Sequence, residues 1–165
     1  MRKIFWFIAC LCIAAFLKAQ SPAQVDSFKA KYSRAKTDAE KVKWLDALSR
    51  VLMNVNQVEA EKYGKEMIEV AEMSRDRHLM IKALLYNGQR CSYFRGRKDY
   101  ANRAIDYFNQ ALIVARENKY DEETGEALLS LSNIYLAIPD ADKLLNYTTE
   151  AFSLISVSDN DSLMA

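Results

Sequence analysis

The residues that could do chemistry in this chain are few. There is one histidine, His78, and there are three cysteines, Cys10, Cys12 and Cys91. One imidazole rules out a multi-histidine metal site, and none of the zinc spacings is present. A Cys–His pair would have to join Cys91 to His78. Both fall on one expected helix, which sets them about 20 Å apart along its axis. There is no glycine-rich phosphate loop and no serine in a strained strand-to-helix elbow. The expectation is a protein with no catalytic residues, no metal and no cofactor. Arg90, Arg95, Arg97, Lys98 and Arg103 form the only dense basic cluster and read as a solvated turn. Tyr63, Tyr86, Tyr107 and Tyr120 read as packing residues, not as a platform for nucleobases.

Binding is the remaining class, and composition narrows it. The chain has 165 residues, half of them hydrophobic, with only four glycines and two prolines. That balance favours helices around one sizeable core. A net charge of +1 with interspersed signs gives no footprint for nucleic acid or an anionic membrane. The first twenty residues stand apart. Arg2 and Lys3 precede an apolar run, Ile4 to Leu17, and polar Lys18 to Pro22 follows. This is the layout of a secretory signal peptide, 1–20, cut after Ala19 or Gln20. The run is short for a membrane span, which needs about 20 apolar residues. Loss of Arg2, Lys3 and Lys18 takes the net charge from +1 to −2 and leaves Cys91 as the single thiol. No internal disulfide is then possible, and Cys91 reads as a small core hydrophobe. The expected location is extracytoplasmic, periplasmic or secreted.

The elements that must position any binding surface are helices. Val25, Phe28, Tyr32 and Ala35 suit a leader helix over 21–36. Two patterns then recur three times. Leu45, Leu48, Ser49 and Leu52 step by three, one and three; so do Leu84, Asn87, Gly88 and Cys91, and again Leu128, Leu131, Ser132 and Tyr135. Each set lies on one helical stripe. Downstream come Ala60, Gly64 and Met67; Ala104, Phe108 and Ala111; and Leu144, Thr148 and Ala151. Small residues at these places let paired helices approach closely. The reading is an all-α chain of three antiparallel hairpins over 37–157. Turns are expected at Asn54–Asn56, at Arg95–Asp99 around Gly96, and at Pro139–Asp140. Asp161 or Ser162 would cap a further helix over 158–165, cut short by the end of the sequence.

These stripes resemble the tetratricopeptide repeat, a helix–turn–helix unit. The resemblance covers about Asp38 to Ile155. Asp99-Tyr100 with Arg103-Ala104-Ile105-Asp106-Tyr107-Phe108-Asn109-Gln110-Ala111-Leu112 is similar to the family's second helix, and Ser130-Leu131-Ser132-Asn133-Ile134-Tyr135 to its first. There are departures: Asn87 stands where an apolar residue is expected, and the units recur at longer spacing. Longer units of this kind resemble extracytoplasmic regions of bacterial signalling proteins such as sensor histidine kinases.

The resemblance implies a right-handed superhelical α-solenoid whose first helices line a concave groove. It implies groove positions at Arg50 and Asn54 on the first unit. On the second they are Leu85, Gln89 and Tyr93, and on the third Leu129 and Asn133. The expected partner is a protein or peptide, since amides and an aromatic face suit an extended chain. No nucleic acid is expected. Membrane association is expected only through the export signal or a further C-terminal part, and self-association through the C-terminal helices. The carboxylate clamp of some relatives is missing, because Asp46 and Glu126 stand in two of its slots. The second expectation is the N-terminal sensor region of a larger membrane-bound, histidine kinase-like protein.

Overall fold

The computed structural model describes residues 22–93, 98–138 and 140–163, with side chains as far as Leu154 in the last helix. The signal segment, the glycine of the Gly96 turn and Pro139 lie outside the described residues. The described residues form seven helices and no strand. These are α1 (22–34), α2 (Asp38–Leu52), α3 (Gln57–Ser74), α4 (Arg77–Ser92), α5 (Lys98–Glu117), α6 (Asp121–Ala137) and α7 (Ala141–Leu163). No described helix is long and apolar enough to cross a membrane.

Local chemistry sets the helix starts. Thr37 accepts from the Glu40 amide while the Glu40 carboxylate accepts from the Thr37 amide, a capping box that satisfies two orphan donors. Asn56 caps α3 at Glu59, Asp76 caps α4 at Leu79, and Asp140 caps the start of α7 at Lys143. α6 has no side-chain cap, but Asp121, Glu122 and Glu123 place negative charge at its positive end. α3 ends on Arg75 in the left-handed conformation, φ 59°.

The helices pair as α2 with α3, α4 with α5 and α6 with α7. Successive hairpins meet through α3–α4 and α5–α6, and also through α2–α4 and α4–α6. Among the described residues α3, α5 and α7 do not pack backbone to backbone; they reach one another through long polar side chains such as Glu61 with Arg103 and Arg116 with Glu150. The first helices therefore stand side by side while the second helices splay apart.

The repeated small positions do what their spacing implies. Ser49 donates to the Ala60 carbonyl at 3.1 Å. A Cβ on Gly88 would overlap the Phe108 ring, so only glycine lets α5 come this close to α4. Ser132 and Thr148 share a hydroxyl–hydroxyl bond at 2.7 Å. The largest core cluster lies across α4 to α7, around Leu84, Leu85, Phe108, Leu128 and Leu131. α1 covers the other end, setting Val25, Phe28 and Tyr32 against Leu48, Leu52 and Ala60.

Asn87 explains its own departure from the apolar pattern. It is fully buried, and its amide donates to the Gly64 carbonyl at 2.9 Å and the Ala83 carbonyl at 3.0 Å. It stitches α4 to α3 where Gly64 leaves room for its oxygen. That oxygen accepts from Arg90.

Three expectations are corrected. Arg90 does not belong to a solvated cluster: it is 5% exposed, with its Nε unpartnered and buried. Arg103, also expected in solvent, bonds Glu61 at 2.9 Å across to α3, while Arg95 and Arg97 of the same cluster lie outside the described residues. Residues 156–163 do not start a new helix. α7 runs through them unbroken, because Ser156 to Asp161 contains neither glycine nor proline and a cap residue alone does not end a helix.

Candidate binding groove

The side formed by α2, α4 and α6 carries the expected groove residues. On α2, Arg50 is exposed and its Nε lies 2.9 Å from both carboxylate oxygens of Asp46, one turn earlier. The same guanidinium stands over the Tyr86 ring of α4, 5.5 Å from its centroid. This is an inter-hairpin contact, and it holds Tyr86 half-buried. Spacing assigned Tyr86 to packing. Its place under Arg50 is set by α2–α4 contact, which no pattern within one helix reveals. Asn54 is exposed in the turn after α2, at the rim.

Between α4 and α6 the surface opens into a hollow of about 370 Å³ lined by Gln89, Ser92, Phe108, Ser130, Asn133 and Ile134. Gln89 and Asn133 therefore meet across one cavity, as equivalent positions of successive first helices. The floor is apolar, from Phe108 and Ile134, which are 2% exposed each. The walls are two carboxamides and two hydroxyls. Ser92 spends its proton on the Gln89 carbonyl at 2.8 Å. Tyr93 follows Ser92 at the end of α4 and is 62% exposed. A carboxamide offers a donor and an acceptor in one plane, which matches a peptide group.

One expected position changes. Leu85 is 1% exposed and belongs to the core cluster, so it cannot touch a groove ligand. That cluster joins α4 to α5, α6 and α7. Leu129, 44 residues later in the repeat, has the same register but is 41% exposed. Leu129 thus stays open to solvent where Leu85 is buried.

A larger hollow, about 740 Å³, lies on the opposite side between α3 and the start of α5. Its lining includes Gln57, Glu61, Lys62, Lys65, Glu66 and Tyr100. Four of its groups, Gln57, Glu61, Glu66 and Tyr100, already serve the fold. Glu61 accepts from Arg103 and Tyr100, Gln57 bonds Tyr100, and Glu66 accepts from Tyr32. Burial pushes the Glu61 carboxyl up, but Arg103 and Tyr100 outweigh it and hold its pKa below the ordinary value. Burial and the hydrogen bond to Glu66 push the Tyr32 phenol to about 12. Among the described residues no cluster of three or more His, Cys, Asp and Glu side chains could hold a metal ion.

With this geometry in place, the chain can be set beside known proteins. No family model matches it, and no curated protein matches it. A solved structure does: the crystal structure of BtubC (BKLC) from P. vanneervenii, with a TM-score of 0.68 and 16% identity. The match covers 86% of this chain and 56% of that one, so this chain spans little more than half of its neighbour. At that identity the likeness concerns the fold alone. This is a helical repeat protein. The all-helical architecture therefore holds for the chain beyond its own periodicity.

Proposed function

We propose that this protein is an extracytoplasmic scaffold of tetratricopeptide type that binds a protein or peptide in the groove of α2, α4 and α6. The finer architecture in this reading is a right-handed superhelical stack of three hairpins. First helices in contact and second helices splayed favour such curvature. The observation that carries the binding reading is the hollow between α4 and α6. Gln89 and Asn133 face it with carboxamides that have no side-chain hydrogen bond among the described residues, over the apolar floor of Phe108 and Ile134. An extended chain would offer peptide groups to the amides and a side chain to the floor. Export rests on the basic start and apolar run of residues 2–17.

A photo-crosslinking amino acid placed at Gln89 or Asn133 in cells tests the groove. Polypeptide adducts are expected from these positions and not from Lys65 on the opposite side. Equal adducts at all three, or none at Gln89 and Asn133, would reject the reading. Sequencing the N-terminus of the mature protein tests export, with a start at Gln20 or Ser21 expected.

A further inference from the structure

The even charge of the whole chain hides a segregation along it. Residues 22–43 carry six bases against three acids, while residues 44–165 carry fourteen against nineteen. The fold gathers the basic stretch onto α1, the start of α2 and the turn between them. Lys31 sets its ammonium 4.7 Å from the Trp44 ring centroid and 5.7 Å from that of Phe28, and Lys43 stands 5.2 Å from the Trp44 centroid. The two rings are themselves 5.9 Å apart, so α1 and α2 share one aromatic pair with two ammoniums on it. Arg34 follows Lys31 at i+3, on the same side of α1. Lys36 and Lys43 both stand close enough to Glu40 to act on its carboxylate, which is already taken by the Lys36 and Thr37 amides. Lys29 and Lys41 are paired with Glu59 and Asp38. Lys31, Arg34, Lys36 and Lys43 are exposed, and none has an ion pair among the described residues.

We infer that this patch holds the protein against an anionic phospholipid surface. Charge complementarity is the first argument: four unpaired cations sit together at one end of a chain that is acidic elsewhere. The second is the mixture of groups. Half-buried Trp44 and Phe28 lie beneath the ammoniums, and a bilayer interface takes aromatic rings and lysine head groups at one depth. The third is shape. None of these residues lines either hollow described above, so the patch suits a broad charged surface more than an extended peptide. The fourth is place in the chain. α1 begins five residues after Leu17, the end of the apolar run that reads as an export signal, so this patch is the first folded surface to meet the bilayer. Once the signal is cut, the patch alone keeps the protein at the membrane. The inference does not rest on the groove.

Co-sedimentation of the protein, purified with its native N-terminus, with vesicles tests this. Binding is expected to vesicles of phosphatidylglycerol in phosphatidylcholine, weakening as salt rises, and not to phosphatidylcholine alone. Lys31→Gln/Lys43→Gln should weaken it about 25-fold, roughly fivefold for each ammonium removed. Lys62→Gln/Lys65→Gln makes the same change of charge on α3 and should leave binding unaltered, which separates the patch from net charge and from any retained leader. Both double variants alter exposed side chains, and unchanged far-ultraviolet circular dichroism verifies their fold. Trp6→Phe leaves Trp44 as the only tryptophan, and brominated phosphatidylglycerol should quench its fluorescence. No binding to the anionic vesicles, equal binding to neutral ones, or equal loss in the two double variants would overturn the inference. So would capture of polyglutamate without vesicle binding, which would assign the patch to an acidic protein. Groove crosslinking at Gln89 and Asn133 reads the peptide-binding proposal separately.

Discussion

Single glycines show how tightly residue identity is tied to helix approach here. Gly88 and Gly125 are both buried in helices, yet they predict opposite outcomes. A methyl on Gly88 would enter the Phe108 ring, so Gly88→Ala should destabilise by roughly 1–3 kcal/mol through overpacking. A methyl on Gly125 would meet nothing within 4 Å. Gly125→Ala should therefore stabilise, by about 0.5–1 kcal/mol, through reduced backbone entropy of the unfolded chain. Thermal or urea melts of the two variants decide both signs. Cys91 makes a third case at this scale. It is fully buried, and burial pushes its thiol up, with the Arg90 and Arg103 charges opposing. Native protein should resist iodoacetamide, and the labelling rate should follow opening of the α4–α5 pair. Rapid stoichiometric labelling of the folded protein would contradict the burial.

At the scale of elements, helix ends and inter-helix links carry the testable content. The Thr37–Glu40 capping box starts α2, and Thr37→Ala should cost about 1 kcal/mol in melts. The α3–α5 link through Glu61 gives a pH dependence with a definite sign. Its carboxyl is held below the ordinary value in the folded state. The link therefore stabilises fully above the unfolded carboxylate pKa of about 4.3, and is lost as pH falls through the lower folded value. Glu61→Gln should flatten the acid limb of stability while moving the neutral-pH value less. Glu61 remains partly exposed, so solvent screening keeps its contribution small. These elements were largely legible beforehand. Periodicity and turn residues located all six helices from α2 to α7, since a stripe and a break are properties of local sequence. The unbroken course of α7 was not legible: Asp161 resembles a cap, and only the continued backbone shows it sitting inside a helix.

For the whole molecule, the order of opening follows from which helices have neighbours. α4 packs against α2, α3, α5 and α6, whereas α7 packs against α6 and reaches α5 through the Arg116–Glu150 ion pair. Hydrogen exchange in dilute protein should find α4 the most protected and α7 the least. Protection of α7 equal to that of α4 would mean the last hairpin is held by something more than α6. The amino-acid sequence by itself determined the helical class, the three-fold register and the small residues at each hairpin contact. Those follow from the angular position of a residue on its own helix. What stands opposite that position is decided elsewhere in the chain. Leu85 and Gln89 lie one turn apart on α4, yet tertiary packing buries the first in the core cluster and leaves the second facing the hollow. Arg90 reads as a surface charge until Asn87 and Gly64 close over it. Leu85 and Leu129 share a register, yet among the described residues one is buried in the core cluster and the other is exposed. The tertiary structure alone could make that distinction, because burial depends on the neighbour and not on the stripe.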